Sequence, residues 1–366
     1  MSGTIRHVFP GGNTSVGFYS LYKYIISQQA ARRIIVIKGG PGTGKSSLMK
    51  TVGKYFLEKN FDIEHHHCSS DNNSLDGLLI KGLNAAIIDG TSPHIVDPVN
   101  PGAVDEVLNM GDCWREEGFE TSRQNIIEIN KEIGNTFKRC YKFLGAARCV
   151  HEDWSFCNKE ALNISQLNKL KEYIKNQLFT NPITEMGFDR HLFATAFTPN
   201  GIVTFIDNLI WGYDNVYVLN GGPGSGKSNI LEYIKDQALN RDYYVEVFHD
   251  PFIPERLEHI FIPKLSFALV TSNEINQVKL PGKQFDMDAI VLGNKKIDYK
   301  NQTEEDKETF YELINKALNI LSGAKELHDR LETYYIRNMD FDKVNEKVDF
   351  VMKKLEGYAK LSTHKV

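Results

Sequence analysis

The sequence predicts an α/β protein built as two tandem copies of one domain, each a parallel sheet followed by a helical region. Three observations carry this expectation. A glycine-rich octet occurs twice, a β-branched run of strand length precedes each copy, and long amphipathic stretches close each half. The length of 366 residues suits two domains better than one.

The repeat extends beyond the octets. Gly39-Gly40-Pro41-Gly42-Thr43-Gly44-Lys45-Ser46 returns as Gly221-Gly222-Pro223-Gly224-Ser225-Gly226-Lys227-Ser228, displaced by 182 positions. At the same offset Glu64 lies on Glu246, His67 on His249, and Ala86-Ile87-Ile88 on Ala268-Leu269-Val270. Upstream, Arg6-His7-Val8-Phe9 matches Arg190-His191-Leu192-Phe193 after a two-residue slip. So long a period indicates fused homologous domains rather than a solenoid.

The elements follow in order. Residues 16–30 have apolar residues at helical spacing and read as a helix. Residues 33–38 form a β-branched run ending at Gly39, a buried strand. Leu48, Met49, Val52, Tyr55 and Phe56 make one stripe on a helix that starts inside the glycine loop. Residues 61–67 and 84–88 read as strands and 115–180 as helical. The second half repeats this at 202–212, 215–220, 228–240, 243–249, 265–270 and 303–360. Pro182 and Gly187 mark 181–187 as the linker. The expected domains are therefore 1–182 and 188–366.

Composition excludes several classes. Hydrophobic residues at 41% and charged residues at 25% describe a globular chain, not a disordered or fibrous one. A net charge of −4 disfavours a protein whose main task is gripping duplex phosphates. The longest apolar runs are strand-sized, so no membrane span is expected. Five cysteines, odd in number and without a CxxC pair, read as reduced thiols. With no apolar signal segment, the expected location is cytoplasmic.

Both octets satisfy G-x-x-x-x-G-K-[ST] between a strand and a helix, the context of a phosphate-binding P-loop. Glycines let several backbone N–H groups point at one anion, and the helix N-terminus adds partial positive charge. Lys45 and Lys227 would bridge the β- and γ-phosphates, while Ser46 and Ser228 would offer hydroxyls to Mg²⁺. Ser47 and Asn229 complete the two loops. The metal-holding carboxylate expected at a buried strand end is Asp89, after Ala85-Ala86-Ile87-Ile88. Its equivalent in the second half is Thr271, with Glu274 three residues late. The second loop is therefore expected to bind a nucleotide while hydrolysing it poorly or not at all.

Other candidates are weaker. His94 and Asp97 leave the sheet's carboxyl edge, where ligands bind in open α/β folds, and would orient water or meet a second substrate. His65-His66-His67-Cys68 has the look of a metal cluster. Strand alternation divides it, however, and no partner ligand appears at zinc spacing. Glu64 and Glu246 suit a water-activating base or a solvent-facing carboxylate, and Asp71 is a further candidate base. Arg6-His7 and Arg190-His191 are read as surface groups or as contacts to a nucleotide. Asn294-Lys295-Lys296-Ile297-Asp298 has its Asp one place late for guanine recognition, so ATP is expected. Leu321-Ser322-Gly323-Ala324-Lys325 is similar to an ABC signature, but no apolar strand ending in Asp-Glu follows it.

GGPGTGKSSLMK (39–50), HCSSDNNSLDG (67–77), AAIIDGTSPHIVDP (85–98) and the second GGPGSGKS together resemble a family of tandem P-loop ATPases from spore-forming Firmicutes. The likeness covers the whole chain. It implies two P-loop NTPase domains, bacterial origin, a cytoplasmic location and ATP binding, but no particular substrate. The expected function is a Mg²⁺-dependent ATPase working in the first half, with a binding or regulatory second half. A small-molecule or nucleotide kinase is the alternative. A further one is a nucleotide-gated module that meets a protein partner through its helical regions.

Overall fold

A computed structural model describes residues 3–92, 94–291 and 300–363; Asn294–Asp298 and Pro93 lie outside them. The chain is mixed α/β and divides into two compact units. Their boundaries are not those expected from the repeat. The first unit comprises Met1–Gly11, Ser20–Lys138 and Ile320–Val366, and the second Gly12–Tyr19 and Arg139–Asn319.

In the first unit a six-stranded sheet has the order β1-β5-β6-β7-β4-β8. These are β1 (Ile5–Val8), β4 (Arg33–Lys38), β5 (Ile63–His67), β6 (Leu75–Ile80), β7 (Ala85–Asp89) and β8 (Asp105–Asn109). Every neighbouring pair is parallel except those that β6 makes with β5 and β7. The expected wholly parallel sheet is thus mixed. Only the short segment 68–74 joins β5 to β6, and a parallel return would need a crossover of a dozen or so residues. Asn84, at φ +50°, closes the following turn into β7. The sequence concealed β6 because all six residues of Leu75–Ile80 are buried, leaving no alternation to read.

The second unit repeats the arrangement as β16-β12-β15-β14-β13-β9. Its members are β9 (Asp189–Leu192), β12 (Asn215–Asn220), β13 (Val245–His249), β14 (Leu257–Ile262), β15 (Phe267–Ser272) and β16 (Lys283–Asp286). Here β14 is the antiparallel member. A further sheet has the order β11-β10-β2-β3, from β2 (Gly11–Thr14), β3 (Gly17–Ser20), β10 (Thr195–Thr198) and β11 (Gly201–Thr204). The helix expected over 16–30 is therefore replaced by β3 and a single 3₁₀ turn, Tyr22–Tyr24. Likewise 202–212 is β11 followed by the short α4 (Ile206–Ile210). In both places the apolar spacing serves a hairpin strand and a core-filling turn.

The remaining helices are α1 (Lys45–Glu58), α2 (Arg123–Glu160), α3 (Ile164–Leu178), α5 (Lys227–Leu239), α6 (Lys300–Ile336) and α7 (Phe341–Thr363). Each helical region packs with the glycine loop of the opposite half of the sequence. Met339 and the α7 residues Val344, Val351 and Leu355 enter the first unit's core with Leu48, Val52 and Phe56 of α1. Leu167 and Ile174 of α3 enter the second unit's core with Ile230, Leu231 and Ile234 of α5. Among the described residues no helix is long and apolar enough to cross a membrane.

Candidate active site

The loop Gly39–Ser46 joins β4 to α1, and Gly42 (φ +68°) and Gly44 (φ +86°) hold left-handed conformations that admit glycine at little steric cost. Thr43 Oγ1 donates to Gly40 O at 2.8 Å and ties the turn together. Lys45, first in α1, folds back so that Nζ donates to Gly39 O (2.9 Å) and Gly40 O (2.7 Å). The same ammonium lies 3.5 Å from Asp89 Oδ2. Ser46 Oγ accepts from Leu75 N at 3.0 Å, which leaves its second lone pair for another partner. Ser47 and Asn229 are exposed on the first turns of their helices.

Asp89 ends β7 beside the loop, and its Oδ1 accepts from Thr91 N at 2.9 Å. Thr91 Oγ1 in turn accepts from Gly39 N at 3.3 Å. A second carboxylate escaped the sequence reading. In the β6–β7 ladder Gly77 faces Ile88, so Asp76 follows in register with Asp89. Asp76 is buried and accepts from Tyr22 Oη at 2.6 Å. Burial raises its pKa, the His94 charge pulls it down, and the Asp89 charge pushes it up again. His94 stacks on Tyr22 and places Nε2 3.6 Å from Asp76 Oδ2. Cys68 Sγ lies 4.0 Å from the same nitrogen. His94, expected to orient water or meet a second substrate, is a buried partner of Asp76.

Each loop is covered by helix. A Cβ on Gly40 would stand 2.5 Å from Tyr335 Cε1, and one on Gly42 2.9 Å from Ile336 Cγ1. On Gly44 it would meet Val344 at 3.3 Å. These glycines therefore serve close approach by α6 and α7 as well as backbone conformation.

The second loop, Gly221–Ser228, reproduces the first. Gly224 and Gly226 are left-handed, Ser225 Oγ donates to Gly222 O at 2.8 Å, and Lys227 Nζ donates to Gly221 O and Gly222 O. Asn158 of α2 donates Nδ2 to Pro223 O at 2.6 Å, and a Cβ on Gly226 would meet Leu167 at 2.9 Å. Its acids differ from the first site. Thr271 is buried on β15, and its amide donates to His259 Nδ1 at 3.1 Å. Glu274, three residues on, is half-buried with its side chain only 7% exposed, and accepts from His151 Nε2 at 2.6 Å. Burial would raise its pKa, but the His151 hydrogen bond and the Lys227 charge outweigh that and hold it at about 2. Glu258 on β14 corresponds to Asp76 and is pushed up to about 8 by burial and by the Asp250 charge. Offset by 182, the set Cys68, Asp76 and His94 becomes Asp250, Glu258 and Asn276, and Asn276 Nδ2 donates to Glu258 at 2.9 Å.

The other sequence candidates lie apart from this chemistry. Glu64 is buried rather than solvent-facing, with Arg6 at 3.5 Å and His66 at 3.0 Å. Glu246 and Arg190 repeat the ion pair at 3.8 Å. Parallel β1–β5 and β9–β13 registers set arginine opposite glutamate, which accounts for all four residues without a nucleotide. Asp97 pairs with Lys38 at 2.9 Å, and Asp71 accepts from Ser74 Oγ at 2.7 Å to close a turn. Leu321–Lys325 lies inside α6, and among the described residues a helix rather than a strand follows it.

No family model, no curated protein and no solved structure matches the chain.

Proposed function

We propose that the chain binds Mg²⁺–nucleoside triphosphate at both glycine loops, ATP rather than GTP, and hydrolyses it at the first, as two tandem P-loop NTPase domains. The observation that carries this reading is the convergence of Lys45, Ser46 and Asp89 on one left-handed glycine turn at a helix N-terminus. Ser46 and Asp89 would supply an oxygen-only donor set with one carboxylate, which suits Mg²⁺ completed by water and phosphate. When bound, the ion would neutralise charge developing on the phosphates. Lys45 would exchange its loop carbonyls for phosphate oxygens. Asp89 and Asp76, side by side in register, would hold and orient water at the metal.

The second loop keeps Lys227 and Ser228 but has Thr271 where Asp89 stands. Glu274 supplies negative charge near Lys227 while committed to His151. Binding without efficient turnover is the reading this supports.

A second reading is favoured by the helical covers. Tyr335, Ile336 and Val344 press on the first loop and Ser155, Asn158 and Leu167 on the second, so phosphate binding would work against helix packing. Nucleotide-gated movement of these helices then becomes the output, with or without hydrolysis. Phosphate release from Mg²⁺–ATP with no acceptor, wild type beside Asp89→Asn, tests the hydrolytic reading. Turnover lost in the variant supports it. Loss of ATP only when a small-molecule acceptor is added would replace it with a kinase.

A further inference from the structure

Parallel pairing of β1 with β5 sets His7 against His65, and strand alternation brings His67 to the same side. One ring nitrogen of each of the three lies within 4.8 Å of the other two. His7 Nδ1 and His67 Nε2 are 2.8 Å apart, while His67 Nδ1 meets the Asn72 carbonyl at 2.8 Å. That carbonyl accepts the Nδ1 proton, so His67 Nε2 is the acceptor of the His7 Nδ1–H bond, and a metal ion would take the place of that proton between the two nitrogens. Carbonyl-backed imidazoles of this kind are the usual outer-shell arrangement of a metal-binding histidine. We propose that His7, His65 and His67 form a binding site for a divalent transition metal, Zn²⁺ or a close analogue, separate from the glycine loops.

The second unit supplies an internal comparison. His191 and His249 repeat the pair at 2.8 Å, and His249 Nδ1 meets the Pro254 carbonyl at 2.6 Å. A histidine pair is thus common to both units and is explained by packing alone. The third imidazole is peculiar to the first, because Val247 stands where His65 would be.

His65 also has room made for it. Its Nε2 is buried and has no hydrogen-bond partner among the described residues, and a Cβ on Gly53 would stand 3.1 Å from it. A glycine in mid-helix is less favourable than alanine. The position equivalent to Gly53 in the second unit is Lys235, so the glycine and the third histidine occur together and are replaced together. Three neutral imidazoles with an open fourth position suit Zn²⁺, Co²⁺ or Ni²⁺ and not Mg²⁺ or Ca²⁺. Tetrahedral ligands at about 2.0 Å from zinc stand about 3.3 Å apart, so the rings would close inward by side-chain rotation.

The test is titration of the metal-free full chain with Co²⁺ alone and then Zn²⁺, by absorption and calorimetry. Wild type is compared with His65→Val and His249→Ala, and far-UV circular dichroism confirms that each is folded. One tight site per chain is expected, weakened at least tenfold or so in His65→Val and unchanged in His249→Ala. The proposal is overturned if wild type takes up no metal, or if His65→Val binds as wild type does. A sulfur-to-cobalt charge-transfer band lost in Cys68→Ser would also overturn it, by moving the metal to Cys68, Asp76 and His94. Because neither loop lysine is altered, the result is independent of nucleotide binding.

Discussion

The ring of Tyr335 rests directly on Gly40, 2.5 Å from where a side chain on that glycine would begin. The residue belongs to the last turn of α6, nearly three hundred positions downstream of the loop it covers. The contact expresses the exchange that organises the molecule, in which each helical region covers the glycine loop of the opposite half of the sequence. Anything that binds the loop's backbone amides meets this cover.

Loosening the cover should therefore ease access. Tyr335→Ala removes the ring while leaving Lys45, Ser46 and Asp89 in place. Mg²⁺–ATP association, followed by stopped-flow fluorescence of a labelled nucleotide, is expected to quicken severalfold. Gly42→Val should act oppositely. It places a branched side chain at φ +68° and against Ile336, a strain of about 1–3 kcal/mol or more, so a lower melting temperature and weaker nucleotide binding are expected.

Asp76→Asn tests the carboxylate that stands in register with Asp89. The change keeps the shape and one acceptor oxygen for Tyr22 while removing the charge. About a 10–100-fold loss of turnover with little change in nucleotide affinity is expected, the size seen when outer-shell partners of a metal site are replaced. Equal loss of affinity and rate would instead place Asp76 in ground-state binding.

Glu258 gives a pH signature to the second unit. Burial and Asp250 keep its proton on up to about 8, whereas the unperturbed value is 4.5. Between these values the folded state holds a proton that the unfolded chain has released. Its contribution is present below about 4.5 and is lost as pH rises toward 8. Glu258→Gln removes the titration. The variant's melting temperature, measured from about pH 5 to about pH 8, is expected to gain steadily on wild type.

Truncation after Asp340 tests the exchange of helices. Val344, Val351 and Leu355 would leave the first unit's core. Each such side chain contributes about 1.5–3 kcal/mol, a large share of the roughly 5–15 kcal/mol that holds a domain together. Loss of cooperative unfolding in the first unit is expected, read from hydrogen exchange over β4 and α1.

Much of the site was legible because it is local. The two octets, Asp89 and the strand–loop–helix order depend on neighbours within a few residues, and the 182-residue offset located each counterpart. What escaped depends on pairing across the chain. His7 reaches His65 only through the β1–β5 register, and Asp76 reaches Asp89 only because β6 runs antiparallel. Glu64 read as solvent-facing because its partner Arg6 lies on another strand. The amphipathic faces of α2 and α7 announced helices without saying which core would receive them. Apolar spacing at Phe18, Tyr19, Leu21, Tyr22 and Ile25 imitated a helix where a hairpin strand and a 3₁₀ turn were built.

The most direct measurement is phosphate released from Mg²⁺–ATP by wild type, Lys45→Ala and Lys227→Ala, with no acceptor present. Turnover by wild type, abolished in Lys45→Ala and retained in Lys227→Ala, is the expected result. Turnover lost only in Lys227→Ala, or absent from wild type that binds ATP, would contradict a working hydrolytic site at Lys45, Ser46 and Asp89.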